Sequence, residues 1–444
     1  MRTSLRLERA ALRDFAAVGL LLASLRLTPA LSQEVPLPQI VNAVSGPACA
    51  ASANMTGHMI CVVRTTGGSL TAISEAATDI RFMNGTFTLD SHGFNNLTLG
   101  PKNPLPLNIN GAVGGSGCAS TADSSADVVC AYNSGGELEA VRFSILANTQ
   151  TITGLDLGMP VIGNASCAIG AMRGDANIHN GAIGPFMPAQ EGDPGETICA
   201  FRSTNNELWG IAFNPAAPAV IEKQDLGVVA IADPSCVDTG DGVANVNQGT
   251  THVICAFLTA NNLQGVAFDP RQAPLHLNPT HQNLYVGTVF TGNPGCTTPN
   301  DGSGQIVCAI SGPGDTLYGF AFNPRSAAES PLQSLGGTAV TGAPACAGLG
   351  DGTNRVTCAV RSSTDIVYTV KFDPRTTPAA FSTGVFTTGI TSAADDLSCI
   401  FLNIHAAQIN CGGVLASQGE LFGVILHPLI SPGSLSAAIF SLPH

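Results

Sequence analysis

The chain has 444 residues, of which 11% are charged, with 50 glycines, 28 prolines and a formal net charge of −13. That length is sufficient for a large core, and the many turn-forming residues favour short strands over helices. The negative charge argues against nucleic acids and anionic membranes as partners, because both are bound through basic patches.

Residues 1–32 predict a secretory signal peptide. Four arginines between positions 2 and 13 precede an apolar stretch at 15–25, and Ala30-Leu31-Ser32 matches a small-x-small cleavage pattern. The apolar stretch is too short to span a membrane, and the sequence predicts no second span. We therefore expect residues 33–444 to form one mature domain outside the cell or in the periplasm.

Fourteen cysteines fall into seven consecutive pairs; five pairs are 12 residues apart, and the other two are 32 and 19 apart. Secretion and an even count predict a disulfide in each pair, with buried free thiols as the alternative. The spacings lack the short C-x₂₋₄-C pattern of zinc sites, so no metal is expected. The pairs are Cys49/Cys61, Cys118/Cys130, Cys167/Cys199, Cys236/Cys255, Cys296/Cys308, Cys346/Cys358 and Cys399/Cys411.

An apolar strand follows each second cysteine. In four repeats this strand ends in Asn-Pro or Asp-Pro, and in a fifth it ends in His-Pro. The clearest copies are residues 208–215, 263–270, 317–324, 367–374 and 421–428, and weaker copies are 70–77 and 138–145. Proline cannot continue a β-ladder, so the strand stops there. A further strand with a Gly-rich end follows at 224–227, 284–287 and 333–337.

Each unit therefore contains four short antiparallel strands, with one cysteine in each of the first two. The first cysteine recurs every 49 to 69 residues, which is the period of repeated supersecondary units. Four strands per unit, repeated radially, predict an all-β, seven-bladed β-propeller with one disulfide inside each blade. The longest insertions, 76–107, 170–196 and 237–251, are all expected on the same face of the disc.

The order of these elements resembles the bacterial seven-bladed propeller lectins, whose blades carry a tryptophan followed by a Leu-Gly-Gly step. The resemblance rests on Leu335-Gly336-Gly337, Pro344, Val356-x-Cys358-Ala359-Val360-Arg361 and Val367-Tyr368. It implies a propeller of the same architecture. In that family sugars occupy aromatic-lined sites between blades, so the resemblance also implies glycans as the ligand class.

Two sets of residues are candidate ligand contacts. The third strands carry the aromatic side chains Trp209, Tyr318 and Tyr368, and an arginine recurs three residues after the second cysteine at Arg64, Arg202 and Arg361. The rings could instead pack one blade against the next, and the arginines could instead form structural pairs.

The sequence contains no H-E-x-x-H, G-x-S-x-G or phosphate-binding glycine motif, so no catalytic residue and no cofactor are predicted. The Asp-Gly pairs at 241–242, 301–302 and 351–352 predict hairpin turns, with calcium binding as the alternative. We expect a non-enzymatic recognition module for glycans or for another surface protein. The alternatives are a self-assembling structural or adhesive protein and a hydrolase with its site at the propeller channel.

Overall fold

The structure is a computed structural model in which the described residues form seven antiparallel sheets of sequential strands and one separate two-stranded hairpin, which is inserted before the last strand of the first sheet. We call these sheets blades 1 to 7 and number the strands of each blade from first to fourth in chain order. The residues that the structure describes are 43–51, 58–76, 79–83, 86–90, 105–107, 109–121, 127–144, 152–170, 196–215, 219–239, 252–260, 262–268, 277, 279–285, 287–299, 303–336, 339–348, 355–375, 384–387, 393–402, 408–416, 421–426 and 438–441. The predicted signal peptide lies outside them.

The blades have these strands, given from the first to the fourth. Blade 1 contains Ala48–Ala51, His58–Arg64, Leu70–Ala76 and Leu105–Pro106. Blade 2 contains Ala112–Ser120, Val128–Ser134, Glu137–Phe143 and Ile152–Pro160. Blade 3 contains Ile162–Gly170, Glu196–Arg202, Glu207–Asn214 and Ala219–Val229. Blade 4 contains Ser235–Asp238, Val253–Leu258, Leu263–Phe268 and Thr280–Leu284.

Blade 5 contains Gly295–Thr297, Ile306–Gly312, Thr316–Asn323 and a divided fourth strand, Ala328–Glu329 with Gln333–Ser334. Blade 6 contains Val340–Gly348, Val356–Ser362, Val367–Phe372 and Gly384–Thr387. Blade 7 contains Ser398–Leu402, Gln408–Val414, Leu421–Leu426 and Ala438–Ser441. A separate hairpin, Asp79–Met83 with Thr86–Asp90, follows the third strand of blade 1, and a short 3-10 helix spans Pro313–Asp315.

These sheets confirm the predicted propeller, and the predicted third strands agree with the observed ones to within one or two residues at most ends. The fourth strand of blade 5 differs, because only short segments on either side of Pro331 pair with the third strand. Proline has no N–H to donate to the ladder, which explains the interruption.

All seven predicted disulfides are present, and each joins residues that face each other directly across the first and second strands. Their Cα atoms are 4.0 to 4.1 Å apart, closer than the roughly 4.5 to 5.5 Å of ordinary opposed residues. The backbone N–H groups of Cys49 and Cys236 donate to serine hydroxyls of neighbouring blades and not to the opposite strand. The cysteine pairs that contain them are therefore of the non-hydrogen-bonded type, in which the two Cα atoms are closer together. In blade order the bonded pairs are Cys49–Cys61, Cys118–Cys130, Cys167–Cys199, Cys236–Cys255, Cys296–Cys308, Cys346–Cys358 and Cys399–Cys411.

The cysteines of the second strands are both bonded and buried. None is free, so the alternative of buried free thiols is wrong. The second strand has a sheet neighbour on either side and a blade packed on either face, which places its sulfur atoms in the core. These cysteines therefore stabilise the blades and are not available to a ligand. Each is at most 7% exposed, and they are Cys61, Cys130, Cys199, Cys255, Cys308, Cys358 and Cys411.

The blades pack face to face through hydrophobic clusters. One cluster of described residues lies at each of the six boundaries from blades 1–2 to blades 6–7, and two lie at the boundary between blades 7 and 1. Second strands are buried on both sides, as in Val253–Leu258, where every residue is buried. This double burial explains apolar runs without alternation in the sequence.

A glycine in the middle of the third strand allows this close packing. In blade 4, a Cβ on Gly265 would lie 2.1 Å from the Phe322 ring of blade 5. In blade 5, a Cβ on Gly319 would lie 2.6 Å from the Phe372 ring of blade 6. The recurring glycine in the third strand of one blade therefore packs against the recurring phenylalanine in the third strand of the next blade.

The ring closes without exchange of a strand among the described residues, because blade 1 and blade 7 are each built from consecutive segments. At this closing boundary, the Gly46 amide donates to Asp395 Oδ2 at 2.8 Å and the Cys49 amide donates to Ser398 Oγ at 3.0 Å. Separately, no helix among the described residues is long and apolar enough to cross a membrane.

Candidate functional site

The centre of the ring is a polar channel that contains a cavity of about 280 Å³. Its wall consists of the short segment that ends at the first cysteine of each blade, so all seven blades contribute equivalent positions. The first strands are therefore innermost and the fourth strands outermost. This arrangement gives two places where ligands could bind: the channel and the clefts between the outer strands of neighbouring blades.

Asparagine and aspartate side chains form a belt around the channel. We define the channel belt as Asn164, Asp233, Asn293, Asp395 and Asp396. In blades 3 to 5, each belt side chain accepts a hydrogen bond from a backbone N–H of the preceding blade. Asp233 Oδ2 accepts from the backbone N–H of Asn164 at 3.0 Å, and Asn293 Oδ1 accepts from the backbone N–H of Asp233 at 2.8 Å. The belt therefore joins successive blades through side-chain acceptors and backbone donors.

Blade 7 makes the same kind of contact. Asp396 Oδ1 accepts a hydrogen bond from the backbone N–H of Ala343, in the first strand of blade 6, at 2.8 Å, and Asp395 Oδ2 accepts from the backbone N–H of Gly46 in blade 1. Burial raises the pKa of Asp396, and the nearby Asp395 and Asp233 carboxylates raise it further. The Ala343 N–H and the Arg361 guanidinium oppose this rise in the Asp396 pKa without cancelling it.

The three predicted arginine contacts lie at or next to the ends of second strands, and two of them, Arg202 and Arg361, are close to carboxylates of this belt. Arg202 donates from Nε and Nη2 to Asp233 Oδ1, at 3.0 and 2.8 Å. Arg361 Nη1 donates to Asp365 at 3.0 Å, and Arg64 Nη2 donates to the Val44 carbonyl at 3.1 Å. All three guanidinium groups have partners within the protein, and a ligand role for them remains a prediction.

The three predicted aromatic contacts lie apart from the channel, each on the side of its blade that faces the preceding blade. Trp209 packs on the cluster between blades 2 and 3, Tyr318 on the cluster between blades 4 and 5, and Tyr368 on the cluster between blades 5 and 6. Each side chain is only partly buried. Tyr318 also meets Phe290 edge to face, with ring centroids 6.3 Å apart. The structure therefore separates the six candidates into a channel set and a cleft set.

The cleft between blades 2 and 3 combines an aromatic ring with charged groups. Trp209 lies directly opposite the exposed Asp225 across the third and fourth strands, so both side chains are on the same side of the sheet. The neighbouring Lys223 is on that side as well, and its ammonium group donates to the carbonyls of Leu157 and Gly158 in blade 2. The Trp209 indole N–H is buried and, among the residues that the structure describes, has no hydrogen-bond partner.

Sequence reasoning missed both the channel belt and Lys223. A signal for the belt was present, because Asn164, Asp233, Asn293 and Asp396 all stand three residues before a first cysteine. Nothing in the sequence indicated that Lys223 would reach the backbone of blade 2, because that contact depends on how the two blades stack.

Within the described part of the chain, no group of three or more His, Cys, Asp or Glu side chains could hold a metal ion. The Asp-Gly pairs considered for calcium, at 241–242, 301–302 and 351–352, lie outside the described residues. The inner parts of the three long insertions lie largely outside them as well.

Comparison with solved structures supports the architecture. The BP39L lectin from Burkholderia pseudomallei superimposes with a TM-score of 0.60 at 11% identity, covering 91% of this chain and all of that one. A WD40 domain from Toxoplasma gondii coronin gives 0.48 at 11% identity, with 91% of both chains covered. The Aleuria aurantia lectin with alpha-methyl-L-fucoside gives 0.42 at 10%, covering 74% of this chain and 95% of that lectin.

The similarity to BP39L, at 11% identity, shows the fold alone, and it confirms the predicted architectural resemblance to propeller lectins. No protein-family model matches the sequence, and no curated protein matches it either.

Proposed function

We propose that the protein is a secreted, non-enzymatic recognition module that binds glycans in the clefts between blades. The cleft between blades 2 and 3 is the principal site. The observation that carries this proposal is the partly buried Trp209, next to the exposed groups Asp225 and Lys223; its indole N–H has no hydrogen-bond partner in the described part of the chain. The architectural similarity to BP39L supports the ligand class.

The chemistry of this cleft suits a sugar. An aromatic ring can stack on the apolar face of a pyranose, while a carboxylate and an ammonium group bind its hydroxyls. Lys223 has three N–H donors, of which two are directed at the Leu157 and Gly158 carbonyls. The third N–H is therefore left for a ligand hydroxyl. A hydroxyl that reached the indole N–H would also remove the cost of a buried donor without an acceptor.

A glycan array followed by titration with the bound sugar tests this proposal. Trp209→Ala is expected to abolish binding, and Trp209→Phe is expected to weaken it because a ring remains without the N–H donor. Gln264→Ala is the matched control, since Gln264 occupies the equivalent third-strand position in blade 4. No binding on the array, or binding that survives Trp209→Ala, would contradict the proposal.

The channel is the site of the alternative function, a hydrolase. Asp233, Asp395 and Asp396 line it, and each accepts at least one hydrogen bond from backbone amides. These bonds give the carboxylates a structural role in holding blades together. Turnover of a glycoside or peptide substrate that disappears in Asp396→Asn, while the fold remains intact, would favour the hydrolase over the recognition module.

A further inference from the structure

The boundaries that follow blades 1, 3 and 6 have the same backbone arrangement. In each, an arginine stands three residues after the second cysteine, and the carbonyl four residues further along accepts a hydrogen bond from a backbone N–H of the next blade. The donors and acceptors are Ala112 to Gly68 at 2.9 Å, Ala230 to Asn206 at 2.8 Å and Ala393 to Asp365 at 3.0 Å. The arginines of these boundaries, Arg64, Arg202 and Arg361, therefore occupy equivalent positions.

The turn after each arginine also has the same conformation. The residue four places after the arginine is left-handed in all three turns, with φ values of 75° at Gly68, 63° at Asn206 and 59° at Asp365. The three turns therefore differ in their side chains and not in the course of the backbone.

Two side-chain positions supply acceptors to the arginine of such a boundary. One is the left-handed residue of the turn, and the other stands three residues before the first cysteine of the next blade. Arg202 uses both positions. Its Nη1 donates to Asn206 Oδ1 at 3.2 Å, and its Nε and Nη2 both donate to Asp233 Oδ1.

Arg361 has acidic residues at both positions. Its Nη1 donates to Asp365 Oδ1 at 3.0 Å. Asp396 occupies the second position, and the positive charge of Arg361 acts to lower the pKa of that carboxyl. Each of these two guanidinium groups is therefore balanced by at least one carboxylate of the chain.

Arg64 differs because both acceptor positions are glycines, Gly68 and Gly115. Its Nη2 donates to the Val44 carbonyl at 3.1 Å, whereas its Nε is buried and has no hydrogen-bond partner among the described residues. The ion pairs within the described part of the chain do not include Arg64. A buried donor without an acceptor, on a cation without a counter-charge, is costly unless another molecule supplies the anion.

We propose that Arg64 is the centre of an anion site between blades 1 and 2 that binds the carboxylate of an external ligand. The carboxylate takes the place that the Asp233 carboxylate has beside Arg202, where it accepts hydrogen bonds from the guanidinium edge. This site lies at a different blade boundary from Trp209, so either site can fail without the other. Uronic acids and non-sugar carboxylates both present this group, and different probes separate them.

Heteronuclear NMR of the purified protein during titration with sodium glucuronate and with sodium acetate tests this proposal. Both probes are expected to shift the Arg64 Nε–H and the Gly68 backbone N–H resonances in a saturable manner. Glucose, and sodium chloride at the same ionic strength, are expected to leave them unchanged. A dissociation constant at least about tenfold lower for glucuronate than for acetate would identify a uronic acid as the source, and equal constants would identify the carboxylate alone.

Two variants remove the site by different routes. Arg64→Gln removes the cation, and the Gly68 resonance is then expected not to respond. Gly115→Asp supplies a carboxylate from the chain, at the position that Asp233 has in blade 4, and is expected to raise the dissociation constant at least about tenfold. Gly115 has no positive φ, and an added Cβ would meet only the Asn164 side chain, at 3.2 Å.

The matched control is Arg355→Gln, which removes one positive charge from an exposed arginine at the start of a second strand and is expected to bind like the wild type. Thermal unfolding checks that each variant retains the propeller. Four results would overturn the proposal: no saturable shift with either probe, an equal shift with chloride or with glucose, a response that survives Arg64→Gln, or undiminished binding by Gly115→Asp.

Discussion

Arg202 in blade 3 and Asp233 in the linker to blade 4 form an ion pair across the blade boundary, with two guanidinium nitrogens 2.8 and 3.0 Å from one carboxylate oxygen. Their side chains are only 17% and 12% exposed. The other oxygen of Asp233 accepts a hydrogen bond from the backbone N–H of Asn164. This one carboxylate, at the start of blade 4, therefore binds both the first and the second strand of blade 3.

Arg202→Ala is expected to lower the free energy of unfolding by about 1–3 kcal/mol, because it leaves a partly buried carboxylate without its charged partner. Arg202→Lys keeps the charge but cannot reproduce the paired donors, so a smaller loss is expected. Urea unfolding measures both. Unchanged stability together with lost glycan binding would show that Arg202 serves the ligand rather than the fold.

Replacing Asp396 by asparagine is expected to stabilise the protein at neutral pH. Asn164 and Asn293 make the equivalent bond to a preceding blade with a neutral amide oxygen, so the acceptor is retained and the buried charge is removed. Asp396→Ala removes the acceptor and is expected to cost about 1–3 kcal/mol. Thermal unfolding at pH 7 distinguishes the two variants, and an Asp396→Asn protein less stable than the wild type would contradict the argument.

The advantage of Asp396→Asn should depend on pH. The folded-state pKa of Asp396 lies above its ordinary value of 3.8, so the folded protein binds the proton more tightly than the unfolded chain does. The stabilising effect of protonation is fully present below pH 3.8 and is lost as the pH rises through the raised pKa. The difference in unfolding free energy between Asp396→Asn and the wild type should therefore be largest at neutral pH and should shrink on acidification.

Gly265→Ala is expected to destabilise the boundary between blades 4 and 5. The added Cβ would lie 2.1 Å from the Phe322 ring, which is fully buried and cannot move aside without disturbing its cluster. Overpacking of this kind typically costs about 1–3 kcal/mol. Gly154→Ala is the control, because this strand glycine has no atom within 4 Å of the added Cβ. Equal effects of the two substitutions on the unfolding midpoint would contradict the packing argument.

Removal of one disulfide should cost stability according to the length of the loop it closes. Cys167–Cys199 closes a separation of 32 residues, whereas Cys118–Cys130 in the neighbouring blade closes 12. If the disulfides act mainly by restricting the unfolded chain, the double alanine variant of the longer pair loses about 1 kcal/mol more. Urea unfolding of the two variants measures this difference, and the opposite order would mean that native-state packing decides the effect.

Much of the fold could be predicted because the sequence repeats it. Cysteine pairs such as Cys49–Cys61 and Cys346–Cys358 recur with one spacing, and residues that face each other across a β-hairpin are close enough for a disulfide. The proline step after strands such as Thr316–Asn323 marks their ends. These signals are local, so repetition identifies the blade, the strand order within it and the number of blades.

The burial of the disulfides could not be predicted in the same way. Cys255 and Cys308 are fully buried and Cys411 nearly so, because neighbouring blades cover both faces of their strands. Spacing along the chain shows which cysteine is opposite which, but it does not show what packs on them. The sequence therefore predicted the bonds and left their place in the core to the stacking of the blades.

The candidate site was predicted only in part, for a physical reason. Trp209 could be singled out by residue type, but whether its ring faces a neighbour or solvent depends on the stacking of blades 2 and 3. The same stacking brings Lys223 to the Leu157 carbonyl and Asp395 to Gly46, which are 66 and 349 residues apart in the chain. The sequence by itself determined the repeated sheet and its disulfides, because those interactions lie within one unit of the chain. Only the tertiary structure decided the channel belt and the cleft at Trp209, because each is assembled from separate blades and has no counterpart within any single one.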